Sequence, residues 1–256
     1  MTKNPPQNRM KLWAVFFWLL VWQGASMALD HMLEVNFLLP SPVAALTRLG
    51  ELALTGAFWR AVGHSALRII GGFLLSCLAA SALAVPASRW TWVRDLMSPL
   101  VAAVKAVPVA SFIILALVWL DSRSLSLFIA FLMVFPPVYL NMLEGIRQTD
   151  RKLTEMARVF RVPLWRRIRG IYLPQVLPYF RAAVSLALGL CWKAGIAAEV
   201  IGLPAGTLGE QLYQAKVYYM TPDLFAWTAV IVAVSMVFER LFLRTVEALA
   251  GKAGIQ

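Results

Sequence analysis

The sequence predicts an all-α polytopic membrane protein of about six transmembrane helices with a structured cytoplasmic loop. Three observations predict it. Of the 256 residues, 60% are hydrophobic and only 14% charged, whereas a soluble domain carries about a quarter charged residues. A water-soluble fold of this length cannot hide so much apolar side chain, so the bilayer must be part of its solvent. Nearly uncharged stretches of spanning length recur along the chain, each close to what crosses about 30 Å of hydrocarbon. Lys and Arg gather in alternate connections.

The first predicted span, 12–29, follows a short tail, 1–11, that carries Lys3, Pro5, Pro6, Arg9 and Lys11. It has the look of a signal peptide, but no clean small-x-small cleavage site follows it and more spans do, so it reads as a retained helix. The outer connection 30–59 is the longest. Its Leu39-Pro40-Ser41-Pro42 favours an extended turn, and 43–54 reads as a short surface helix. The second span, 62–87, has Arg68 near its outer end. The third, 97–120, contains one charge, Lys105. The fourth, 124–145, holds Pro136 and Pro137, which are expected to kink it or end it early. The fifth, 177–200, contains Lys193, with Glu199 near its outer end, and the sixth is 223–245. Residues 12–246 read as one transmembrane domain, with 247–256 a second tail.

Orientation follows from the loops. Basic residues fill the N-terminal tail, the second connection (Arg89, Arg94), the fourth (Arg147 through Arg169) and the C-terminal tail, while the alternate loops hold few. With an even number of spans, both termini and all basic loops lie on the cytoplasmic side of the membrane. This accounts for the net charge of +11 without nucleic acid. Trp13, Trp90, Trp92 and Trp119 fit interfacial anchoring. Cys77 and Cys191 lie inside apolar runs, which argues against a disulfide framework or a metal site. His31 and His64 are isolated and read as structural.

The loop 147–176 carries the most information. Thr154 can cap a helix over 155–160. Val162-Pro163 breaks it, and Pro163 can open a second helix, 164–172, basic on one face and carrying Leu164, Ile168 and Ile171 on another. Leu173-Pro174 ends that helix at the membrane. The alternative is an amphipathic surface helix held by lipid headgroups.

These residues resemble the EAA loop of permease subunits of binding-protein-dependent ABC importers: Glu-Ala-Ala, three residues, Gly, nine residues, Ile-x-Leu-Pro. Glu155, Ala157, Ile171, Leu173 and Pro174 match, Met156 replaces the first Ala, and Arg161 stands where the family has Gly. A Gly there takes a left-handed turn without steric cost; Arg161 must find another geometry or accept strain of about 1 kcal/mol. The resemblance covers nearly the whole chain. Ser65-x-x-Arg68-x-x-x-Gly72-Phe73, Lys105-x-x-Pro108-x-x-Ser111, Gly189-x-x-Trp192, Glu199 and Gly206-x-x-Gly209 are similar to the nitrate/sulfonate/taurine-type branch, although Trp119-Leu120-Asp121 replaces that branch's Trp-Phe-Gly.

The resemblance implies a type I importer permease fold. It implies a bacterial inner-membrane location and a loop that is a coupling helix docking on a separate cytoplasmic ATP-binding subunit, with Glu155 in contact and Ala157 permitting close approach. Arg158, Arg161, Arg166 and Arg167 have two readings, pairing with acidic groups on that partner or holding phospholipid headgroups. A second permease copy in a homodimer, an extracytoplasmic substrate-binding protein and membrane lipid complete the expected partners. The sequence has no G-x-x-x-x-G-K-[ST], so ATP belongs to the partner and this chain is a transport subunit rather than an enzyme. Intramembrane charges are costly and usually functional, so Lys193, Trp192, Glu199 and Lys105 are the candidates for the translocation path of a small anion such as a sulfonate, taurine or nitrate. Each has a bland alternative: a structural bond for Lys193, headgroup contact for Lys105, a gate or dimer contact for Glu199, and packing for Trp192. An intramembrane lipid-modifying enzyme would need clustered nucleophiles, metal ligands or paired carboxylates, and none occurs. A stand-alone secondary carrier would not require a loop of this form.

Overall fold

The computed structural model describes residues 12–33 and 39–252. The expected tail 1–11 with its three basic residues, and the end of the expected tail 247–256, lie outside the described residues. Among the described residues every regular element is a helix: α1 (Leu12–Leu33), α2 (Pro42–Ala53), α3 (Gly56–Arg89), α4 (Thr91–Ala106), α5 (Val109–Ala116), α6 (Ser122–Arg147), α7 (Arg151–Val159), α8 (Leu164–Arg167), a π turn (Ile168–Tyr172), α9 (Leu173–Gly202), α10 (Leu208–Val217) and α11 (Thr221–Lys252).

Helix α6 is the centre of the bundle, packed along α3 on one side and α9 on the other. Its Val134 and Val138 join Phe73 and Ala80 of α3 and Val184, Leu188 and Cys191 of α9 in one buried core, while its Ile129 belongs to a second, with Ile113 of α5 and Ala194 of α9. Close approach depends on small residues, as it does where lipid offers no hydrophobic drive between helices. A Cβ on Gly72 would lie 2.3 Å from the Leu127 carbonyl oxygen of α6. Helix α11 closes the core edge-on, with Phe238 and Phe242 5.5 Å and 4.9 Å from the Phe73 ring. Both cysteines are buried and unbonded.

Among the described residues, four helices are long and apolar enough to cross a membrane: Gly56–Arg89, Ser122–Arg147, Leu164–Gly202 and Thr221–Ala248. Helix α1 adds a shorter apolar stretch, Phe16–Leu29. The third expected span, 97–120, is not one straight helix. It is divided into α4 and α5, bent by 106°. The cause is local: Val107, pushed out of the helical region by the proline that follows it, takes φ −83°, ψ 132°, and Pro108 caps α5 without a side-chain bond. Pro136 and Pro137 do not end their helix early. Helix α6 runs through both, with Asn141 donating from Nδ2 to the Pro137 carbonyl at 2.8 Å.

The predicted surface helix is α2, capped by the Ser41 hydroxyl accepting from Ala44 N–H at 3.1 Å. Arg48 fastens it to α11 with two bonds to Asp223, at 2.6 and 3.1 Å. Asp223 and Glu51 together hold the Arg48 guanidinium above its ordinary range. The two ends of the bundle meet again where Arg181 of α9 pairs with Glu247 of α11.

Candidate functional site

The first helix of the loop between α6 and α9 is capped by Asp150, not by Thr154 as the sequence suggested. The Asp150 carboxylate accepts from Lys152 N–H at 2.8 Å and caps α7, while Thr154 donates to the Arg151 carbonyl. The Asp150 N–H donates to Gln175 Oε1 at 2.8 Å, tying the start of α7 to the start of α9. Helix α7 ends in a Schellman turn. Val162 N–H reaches back to the Ala157 carbonyl at 2.9 Å and Arg161 N–H to the Arg158 carbonyl at 3.1 Å. That turn requires a left-handed residue, and Arg161 supplies it at φ +50°. The chain therefore makes the turn that the EAA pattern makes with Gly and accepts the strain.

Two expectations for this loop are corrected. Ala157 is 1% exposed, packed within its own chain, so its small size serves internal packing rather than close approach of a partner. The second helix does not end at Leu173-Pro174. Helix α8 passes through the π turn Ile168–Tyr172 straight into α9. Leu173 N–H bonds to the Ile168 carbonyl in the wider register, and Pro174, which has no N–H to give, follows in the first turn of α9. Ile171, Leu173 and Pro174 thus form the stiff base of a continuous rod.

Glu155, Met156, Arg158, Arg161 and Arg166 are exposed, and Arg167 is partly covered. Between them stands a feature missed in the sequence: Val159, Phe160, Leu164 and Trp165 are 78%, 75%, 66% and 72% exposed around the Arg161 turn. The signal was there. Two apolar pairs flank Val162-Pro163 in an otherwise basic loop.

The candidates within the membrane separate. Glu199 is buried and holds three elements together. Ser65 of α3 donates to Glu199 Oε2 at 2.6 Å, Gly209 N–H donates to the same oxygen at 3.2 Å, and Leu208 N–H donates to Ser65 Oγ at 2.9 Å. Gly209 packs so close that a Cβ there would lie 2.3 Å from Glu199 Cβ. Glu199 is therefore an internal tie of α3, α9 and α10, neither an exposed gate nor a dimer contact. The adjoining turn is joined to α3 as well: His64 Nδ1 lies 3.1 Å from the Gly206 carbonyl, which the Nδ1–H tautomer satisfies. Trp192 is 2% exposed, edge-on to Phe238 at 6.3 Å, and belongs to the core. Lys193 is exposed on α9, on a face that also bears Leu186 and Leu190. Lys105 is exposed at the end of α4, on the rim of two cavities between α4 and α6.

Residues 72–250 match the family described as binding-protein-dependent transport system inner membrane component. An Escherichia coli protein named for aliphatic sulfonates transport is 30% identical over 238 residues, 88% of this chain and 87% of its own length. The bicarbonate transport system permease of Synechococcus elongatus is 25% identical, over 79% of this chain and 77% of its own. The riboflavin transport system permease of Chloroflexus aurantiacus is 26% identical, over 81% and 80%.

Proposed function

The chain belongs to the binding-protein-dependent transport system inner membrane component family, and from that premise we propose that it carries a small anion and is driven through its 155–174 loop. It is a multi-pass transport subunit of an ABC importer, not an enzyme, and such importers work with a separate ATPase and a substrate-binding protein. The finer reading is ours. The loop is the ATPase contact; two copies of the chain make the path; both termini face the cytoplasm; the solute is an anion of the sulfonate, taurine or nitrate kind.

The observation that carries the loop reading is the exposed apolar tip. Phe160 and Trp165 project beside Glu155 and the exposed arginines. Large aromatic anchors within a charged rim are the composition of a protein-binding patch. Behind them, the unbroken run from α8 through the π turn into α9 gives a partner's displacement a rigid route into the membrane. An ATP-dependent partner can drive transport only through contacts that differ between its states, and a stiff lever supplies them.

For the path, the supporting observation is Lys193. A lysine on an exposed span surface costs at least about 2.5 kcal/mol facing lipid. Facing a second copy across a watered path, it is solvated and attracts an anion. The relatives named for sulfonates and for bicarbonate favour an anion. Uptake of labelled taurine, an alkanesulfonate or nitrate, in cells making the chain with its partners, tests this. Lys193→Met should cut uptake at least about tenfold with the protein still inserted; unchanged uptake removes Lys193 from the path.

A further inference from the structure

Two cavities lie between α4 and α6, and one of them continues toward the end of α6 that leads into the basic loop. One, of about 420 Å³, is lined by Arg94, Asp95, Lys105, Tyr139, Glu144 and Arg147. The other, of about 430 Å³, is an apolar groove walled by Val104, Met133, Pro136, Leu186 and Leu190. They share Lys105 and Leu140. The charges of the first are unequally used. Arg94 pairs with Asp95 at 3.6 Å, and Gln148 donates to Glu144 at 2.7 Å. Neither Lys105 nor Arg147 has an ion-pair partner among the described residues. The Tyr139 ring is buried and stacked on Phe135; the residue contributes to the wall of this cavity, and its hydroxyl, shielded from solvent, has no hydrogen-bond partner. A buried phenol without a partner is costly, and here it stands with two free cations.

We propose that this pair of cavities holds one anionic phospholipid of the loop-side leaflet. Its phosphate sits between Lys105 and Arg147 against the Tyr139 wall, and an acyl chain runs along the groove past Leu140. The geometry fits an amphiphile along the membrane normal. On α6 the polar cavity extends from Leu140 toward Arg147 and the apolar groove from Leu140 toward Met133, each about 10 Å at 1.5 Å per residue. A free anion would use the polar cavity and leave the groove without purpose. A bare acyl chain would leave the cations unused. Basic pockets between spans on the cytoplasmic side suit anionic headgroups. A lipid wedged between α4 and α6 would also fill the space left where Pro108 bends the chain away from a straight span.

Native mass spectrometry of the full-length, delipidated chain in detergent tests it by titration with phosphatidylglycerol and phosphatidylcholine. Wild type should bind one phosphatidylglycerol well ahead of phosphatidylcholine. The Lys105→Gln/Arg147→Gln double variant should weaken that first binding about 25-fold, taking each cation as worth about fivefold. Leu140→Trp, which obstructs the groove without altering charge, should also weaken it, whereas Arg123→Gln at the opposite end of α6 should not. The Leu140→Trp arm decides the matter if the double variant does not insert. Equal binding of the two lipids, or unchanged binding in both site variants, would overturn the proposal. So would displacement of the lipid by millimolar taurine or phosphate with no effect of Leu140→Trp, which would make the cavity a free-anion site.

Discussion

Arg161 carries a cost that its position in the loop explains. At φ +50° it closes the Schellman turn that ends α7, and a residue with a Cβ is held there at about 1 kcal/mol or more. Replacing it by Gly should remove that strain, partly offset by the freedom glycine gains in the opened loop. Arg161→Gly is expected to slow hydrogen exchange of the amides of residues 157–163 by up to about fivefold; faster exchange would mean that the Arg161 side chain itself holds the turn. The spacing from Glu155 to Pro174 made the turn legible, because a motif reports backbone geometry well. It misassigned Ala157, because a small residue permits close approach equally from a partner or from the chain's own neighbours, and only packing tells which. Glu199 shows the same limit: a lone acid near a span end is readable as important, but its partners Ser65 and Gly209 come from distant segments.

Among the elements, the prolines were the least readable. Val107-Pro108 turns the chain by 106°, yet Pro136 and Pro137 sit inside an unbroken α6 and Pro174 follows a π turn. A proline removes one donor and crowds one carbonyl. Whether that ends a helix depends on what surrounds the freed carbonyl, which is tertiary information. Helix α10 was not expected at all, although Thr207 accepting from Glu210 N–H and Glu210 accepting from Gly206 N–H are a start signal written locally. The surface helix α2 was read correctly, but its docking was not, since Asp223 lies far along the chain from Arg48. Their bond is only partly shielded, Asp223 being buried but Arg48 about a third exposed, and is worth correspondingly less than a fully buried one. Asp223→Asn should lower thermal stability modestly, by about 1 kcal/mol, and loosen α2 first, detectable as faster exchange of residues 42–53 with the core unchanged. Uniform loss across the bundle would contradict the role of a local latch.

At the scale of the molecule, composition and hydropathy pattern were enough to establish a multi-pass helical membrane protein, because bilayer thickness imposes element length directly. The order of packing, with α6 between α3 and α9, was not readable, since every apolar helix looks alike from outside. The single chain leaves Lys193 on an outer face and an aromatic tip on the loop; both are surfaces that an assembly with a second copy and an ATPase would cover. The claim that organises the rest is that the 155–174 loop couples this chain to its ATPase. It is tested most directly by reconstituting the complex with Phe160→Ala/Trp165→Ala and, separately, Glu155→Lys, and measuring ATPase co-purification together with hydrolysis stimulated by the loaded binding protein. The account predicts a normally inserted permease that retains little ATPase and shows no stimulation. Wild-type retention and wild-type stimulation in both variants would contradict it.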